Sequence, residues 1–186
     1  MPDQVVTRPA GPADLDALLA DVTAGFNSYV AFAPEGWEPP DMRTHREWEA
    51  EVLADPATWA LLAEVDGAPV GHVAFIPARR QAGERAHWRT RPVIAGLAHL
   101  WQLFVLPDWW GRGVAPVLHD AALAEMRGQG YELARLYTPA GHARARRFYE
   151  RRGWVALSEA FNEDLGLPLT EYRLLVQGPS GSQPSR

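Results

Sequence analysis

Residues 99–118, HLWQLFVLPDWWGRGVAPVL, constrain the fold more than any other stretch of the chain. Residues 99–106 form a largely apolar run of strand length, the pattern of a strand covered on both faces. Pro107, Gly111 and Gly113 then mark a turn. Val114, Val117, Leu118 and Ala121 recur at helical spacing, which predicts a helix from Gly113 to Gln129. A strand feeding a helix through a glycine turn belongs to an α/β architecture. It is also the usual frame of an anion site. Amides of a first helical turn lack intrahelical partners, and the helix dipole puts positive charge beside them. Glycine lets an anion approach that backbone closely. Gly111 and Gly113 would equally serve a tight connection that binds nothing, and spacing alone leaves both readings open. The dinucleotide fingerprint G-x-G-x-x-G fails, because Pro116 occupies its third glycine position. In the first turn that proline costs no helical hydrogen bond, but it removes one donor.

The other elements follow from the same signals. Residues 4–8 read as a short strand closed by Pro9. Leu15, Leu18, Leu19 and Val22 predict a helix opened by Pro12. Thr44 and Glu47 form a capping-box pattern at the start of a second helix, which Pro56 ends. Residues 58–65 and 68–77 are strand-like and joined by Asp66-Gly67, a hairpin signal. Residues 78–98 read as a long connection carrying five arginines. After the central helix come a strand at 132–138, a basic helix with Ala145, Phe148 and Tyr149 on one face, and strands at 154–161 and 169–176. Residues 1–177 are expected to form a single domain and residues 178–186 a disordered tail.

Composition narrows the function classes. The chain has 186 residues and no cysteine, so disulfides, thiolate metal sites and cysteine nucleophiles are excluded. All 18 basic residues are arginine, which rules out a Schiff-base lysine and a Walker A loop. The net charge of −5 argues against a nucleic-acid partner. No apolar run reaches the length of a membrane span, and the N-terminus lacks a signal-peptide pattern, so the expected location is the cytoplasm with no membrane partner. His45, His87 and His119 show no paired metal-ligand spacing, and no metal is expected.

The two glycine- and tyrosine-bearing segments together resemble the GNAT family of acetyl-CoA-dependent N-acetyltransferases. Pro107, Trp110, Gly111, Arg112, Gly113, Val114 and Ala115 follow its P-x-x-[QR]-G-x-G-x-[GA] turn. His142, Ala145, Phe148, Tyr149, Glu150, Gly153 and Trp154 follow its N-x-x-A-x-x-F-Y-E-x-x-G-[FW] helix. The resemblance spans about residues 4–176. It implies a mixed, mostly antiparallel sheet of about seven strands flanked by about four helices. It also implies one acyl-CoA-binding domain with acetyl-CoA as co-substrate and an amine of a small molecule or peptide as acceptor. Monomer and homodimer both remain open. Trp110, His142 and Pro116 depart from the residues usual at their positions, and a non-enzymatic acyl-CoA sensor or scaffold is the alternative they motivate.

Site roles are carried over residue by residue. The resemblance implies that Trp110, Gly111, Arg112, Gly113, Val114 and Ala115 hold the CoA pyrophosphate, largely through backbone amides. Amides around Leu103 and Val105 would polarise the thioester carbonyl. His142 would lie beside the pantetheine, and Tyr149 would both line that path and protonate the leaving thiolate. An alkylamine loses its proton at neutral pH at a cost of about 4 kcal/mol. His99 is the first candidate base, with Glu64 and His72 behind it. Tyr29, Phe32, Trp37 and Trp88 could wall an acceptor site, or simply pack their loops.

Overall fold

The structure is a computed structural model that describes residues 4–80 and 87–176. The expected tail at 178–186 and part of the 78–98 connection lie outside the described residues. Along the chain run β1 (Val6–Pro9), α1 (Leu15–Tyr29), α2 (Met42–Leu53), β2 (Trp59–Val65), β3 (Ala68–Arg79), β4 (Val93–Val105), α3 (Val114–Gly128), β5 (Leu133–Pro139), α4 (Ala143–Arg151), β6 (Val155–Asn162) and β7 (Leu167–Leu175). The seven strands form one sheet in the order β1-β2-β3-β4-β5-β7-β6. Only β4 and β5 pair in parallel, across the α3 crossover, so the sheet is mixed and mostly antiparallel as expected.

Helices cover both faces. On one face Leu118, Ala122 and Met126 of α3 pack on Val73, Phe75, Leu100 and Leu136. On the other, Leu18 of α1 and Leu53 of α2 pack on Leu62 and Ala74, with Val22, Phe26 and Tyr29 beside them. Two buried faces explain why residues 99–106 show no clear polar side. Leu118 and Met126 have no exposed surface, and truncating such side chains to alanine costs about 2–5 kcal/mol.

Three boundaries differ from the sequence reading. β4 begins at Val93, six residues before the expected start, because Gly96 and the arginine-rich approach masked its apolar period. α2 is capped by Asp41, whose side chain accepts the amide of Arg43, so the helix starts ahead of Thr44. α1 continues to Tyr29 and carries that ring to the site described below.

The feature that positions the site is a split in the sheet. β4 and β5 pair only where Leu97, Ala98 and His99 face Leu133, Ala134 and Arg135. A register shift in β4 accompanies the split. Phe75 faces Leu100 and Ala74 faces Gln102, leaving Trp101 as the extra residue. Trp101 and Gln102 both contact α2, through Trp48 and Glu49 respectively. Beyond this bulge the two strands diverge.

Candidate active site

A cavity of about 1080 Å³ occupies the divergence. Residues 100–105 of β4 and 136–138 of β5 form its two strand walls. Trp109, Trp110, Gly111 and Gly113 close one end, and His142, Arg144, Ala145, Phe148 and Tyr149 come from α4 and its cap. Gly25, Ser28 and Tyr29 of α1 contribute the opposite side.

The turn between β4 and α3 requires its glycines for conformation. Gly111 and Gly113 have φ of 80° and 90°, while a Cβ at either would meet no atom within 4 Å. Left-handed backbone, not crowding, selects glycine there. The Arg112 amide donates to the Trp109 carbonyl, and the Val117 amide to Gly113. Among the described residues, the amides of Gly111, Gly113, Val114 and Ala115 have no backbone acceptor, and Pro116 has no amide to offer. The available donors are therefore these four, not every residue from 111 to 115. Gly113 caps α3, so its dipole adds positive potential where these amides stand. Arg144, Arg147, Arg151 and Arg152 also line the cavity; Arg152 is paired with Asp120, and the other three give the rim its cationic character.

Tryptophan fixes the turn to the strand. The Trp110 indole donates to the Val105 carbonyl at 2.7 Å, and the Arg144 guanidinium lies 4.7 Å from its ring centre. Arg112 lies over Trp109 at 5.1 Å and does not line the cavity. Val114 also lies outside the lining, because its side chain is buried in the core beneath α3; its contribution is the backbone amide alone.

Alternation along β4 settles the direction of its amides. The Leu106 amide donates to Val70 on β3, so the amides of Leu103 and Val105 point the other way, to the open edge. Both residues line the cavity. Tyr149 lines it too and is 8% exposed. Burial, with a smaller contribution from nearby Tyr29, raises its hydroxyl far above the ordinary phenol range, so it stays protonated. His142 caps α4 by accepting the Ala145 amide at Nδ1, and its ring packs on Phe32 and Tyr29 at 4.9 and 5.5 Å. Burial, reinforced by Arg144, lowers its pKa and keeps the imidazole neutral.

Several sequence candidates stand elsewhere. His99 does not line the cavity. Its Nδ1 lies 3.2 Å from the Arg135 carbonyl and its ring packs on Tyr137. Burial and the Arg135 charge push its pKa down to about 3. Taking a proton from an ordinary alkylammonium would then be uphill by about 7 pKa units, or about 9–10 kcal/mol, which corrects the expectation that His99 is the base. Glu64 is bonded to Arg8 at the far side of the sheet. Phe32 and Trp37 pack behind Tyr29 instead of facing the cavity, with the Trp37 indole bound to the Leu165 carbonyl. Trp88 is not brought to them at all. It precedes β4, whose 13 residues carry the chain away from it toward the cavity, and it is held between Arg79, Arg89 and Glu51. Of the four aromatic candidates only Tyr29 lines the cavity.

Beside this wall lies a buried polar chain of which the sequence reading named only His72, as a base candidate; His72 does not line the cavity. Asp21 of α1, His72 of β3, Gln102 of β4 and Glu49 of α2 are linked in series by hydrogen bonds of 2.8–2.9 Å. The available signal was charge in the wrong place: Asp21 falls beside Leu18 and Val22, and Glu49 beside Val52 and Leu53, on otherwise apolar stripes. Among the described residues no group of three or more metal-ligating side chains converges, and no helix is long and apolar enough to cross a membrane.

The arrangement offers backbone donors for an anion, an apolar slot with open-edge amides, and a protonated phenol. The model of the acetyltransferase (GNAT) family matches residues 22–154. The fold is similar to a GNAT-family structure from Desulfovibrio desulfuricans, at 23% identity and a TM-score of 0.68, covering 94% of this chain and 100% of that one. It is similar to the ribosomal-protein-alanine N-acetyltransferase of Brucella melitensis, at 22% identity and a TM-score of 0.65, covering 91% and 99%. A Thermoplasma acidophilum N-acetyltransferase, solved in complex with coenzyme A, superposes at a TM-score of 0.60 and 16% identity, covering 90% and 98%. No curated protein matches the chain.

Proposed function

The chain belongs to the GNAT acetyltransferase family, and from that premise we propose that it transfers an acetyl group from acetyl-CoA directly to a primary amine of a small molecule or peptide. The observation that carries the reading is the set of available amides at Gly111, Gly113 and Ala115, residues that line a cavity between two diverging strands, with the Val114 amide in the same turn. Such amides at a helix N-terminus suit a pyrophosphate, which offers several acceptors at once. The arginines of α4 suit the remaining negative charge.

Bound acetyl-CoA supplies the acyl group as a thioester, whose C–S bond breaks as the C–N bond to the acceptor forms, while solvent water takes the protons that the acceptor nitrogen sheds. The chain's own groups divide the rest of the work. The Leu103 and Val105 amides polarise the acyl carbonyl from the open edge of β4. Tyr149 holds a proton at Oη for the departing sulfur. Because its pKa is raised, that donation is uphill against an ordinary thiol pKa of about 8.5, and its contribution is modest. His142, Ala145 and Phe148 wall the pantetheine path. Tyr29 lines the acceptor side.

A free-thiol release assay over a panel of amines, amino acids and peptides tests this reading. Thiol release that requires both acetyl-CoA and an amine is expected. A non-enzymatic acyl-CoA sensor, motivated by Trp110, His142 and Pro116 at positions where the family usually carries other residues, is the alternative. That alternative predicts CoA binding with no turnover across the panel, and one accepted amine excludes it.

A further inference from the structure

The half of the sheet formed by β5, β7 and β6 leaves an apolar patch open on one face. Ala134 and Tyr172 belong to the core beneath α3, and Leu174 packs against it. Their strand neighbours Leu133, Arg173 and Leu175 therefore stand on the opposite face. Leu133 pairs directly with Leu175, and Val155 of β6 pairs with Arg173. Leu157 is the extra residue of a bulge in β6 and shares the position opposite Glu171 with Ser158. On this face α1 and α2 pack over β2 and β3 instead. Val155 and Leu157 are each 60% exposed, Leu175 68% and Leu133 37%. Together they present on the order of 400 Å² of apolar surface, the size of patch that marks an interaction site.

The chain's own remaining segments do not suit this patch. Residues 177–186 follow β7 and read QGPSGSQPSR, with no large apolar side chain. Residues 81–86, QAGERA, offer only two alanines. Residues 1–3 precede β1, at the far edge of the sheet. Pairing of another strand along the β6 edge is disfavoured as well, since the bulge interrupts its outer row of backbone groups. The charges on the face are self-matched: Arg173 Nε donates to Glu171 Oε1 at 2.6 Å. A two-fold contact sets this pair antiparallel to its copy, with arginine facing glutamate. We propose that this open face of β5, β7 and β6 stacks on the same face of a second copy of the chain. The apolar residues form the centre of the interface, which takes about 800 Å² from each partner in complexes of standard size. Tyr137 pairs with Glu171 and lines the cavity, so the second copy stands beside the acceptor side of the site. The inference goes beyond the transferase reading and does not rest on it.

Sedimentation velocity of the full 186-residue chain over about 1–100 μM tests the proposal. A reversible dimer is expected. Leu157→Arg and Leu175→Arg, both at exposed positions, are expected to weaken it by about tenfold or more. Val6→Arg, at an exposed apolar position on β1, is expected to leave it unchanged. Because the chain has no cysteine, Ser158→Cys supplies a second readout at an exposed position of β6 without placing a charge in the interface. A short bis-maleimide is expected to cross-link Ser158→Cys into dimers and to leave Val6→Cys monomeric. Should the arginine variants fail to fold, the two cysteine variants decide the matter. A wild type that sediments as a monomer throughout, a dimer kept in both arginine variants, or cross-linking of Val6→Cys but not of Ser158→Cys overturns the proposal.

Discussion

His99→Asn is expected to flatten the acid limb of the stability curve. The folded protein holds this imidazole at a pKa of about 3, because burial strips its solvation and Arg135 repels its charged form. The unfolded chain regains the ordinary value of about 6.5 and binds a proton that the folded state refuses. Unfolding is therefore favoured as pH falls through about 6.5, and the effect grows until about pH 3. At about pH 5 the loss is RT ln(1 + 10^1.5), or about 2 kcal/mol, relative to about pH 7.5. That figure is set almost wholly by the unfolded pKa, so a folded value of about 4 would leave it nearly unchanged. His119 and His142 are also shifted downward, mainly by burial, so the wild type should lose more than His99 alone accounts for. The comparison between wild type and variant isolates the His99 share, and asparagine retains an N–H able to face the Arg135 carbonyl. Urea unfolding followed by tryptophan fluorescence at the two pH values measures it. The wild type should lose about 2 kcal/mol more than the variant. Equal losses would show that His99 titrates as a solvated histidine, and would reopen its assignment as a base.

Two further outcomes follow from the site geometry. Tyr149→Phe should lower kcat by about tenfold with KM within about twofold, and Tyr149 should impose no alkaline limb below about pH 10, since its pKa is raised; a limb near pH 8–9 that vanishes in the variant would contradict this. Gly113→Ala should cost about 1–2 kcal/mol because its φ is 90°, and should weaken CoA binding more than Gly130→Ala, a control of similar backbone strain at φ 80° beyond the other end of α3; equal CoA affinity in the two variants by calorimetry would contradict a phosphate-binding turn.

The order of elements was legible because it is written locally. Asp66-Gly67, with φ of 50° and 77°, forms the expected hairpin, and Gly113 caps the expected helix. Turn residues act within a few positions, so sequence alone exposes them. The bulge at Trp101 was not legible, since it depends on which residues of β3 face β4. The same limit explains His99, whose environment comes from Arg135 and Tyr137 on a neighbouring strand. Trp88 and Trp37 belong to segments of similar aromatic character, yet their partners, Glu51 and Leu165, lie in different parts of the chain. The Asp21–Glu49 chain spans four elements and was visible only as charges on apolar stripes.

Amide chemical shifts recorded during a CoA titration test the central claim most directly. Saturable shifts at micromolar CoA are expected for Gly111, Gly113, Val114 and Ala115, together with Leu103 and Val105 on the open edge of β4, while the exposed strand β6 stays unchanged. Unmoved signals at these positions in millimolar CoA, or shifts confined to other parts of the molecule, would contradict the account.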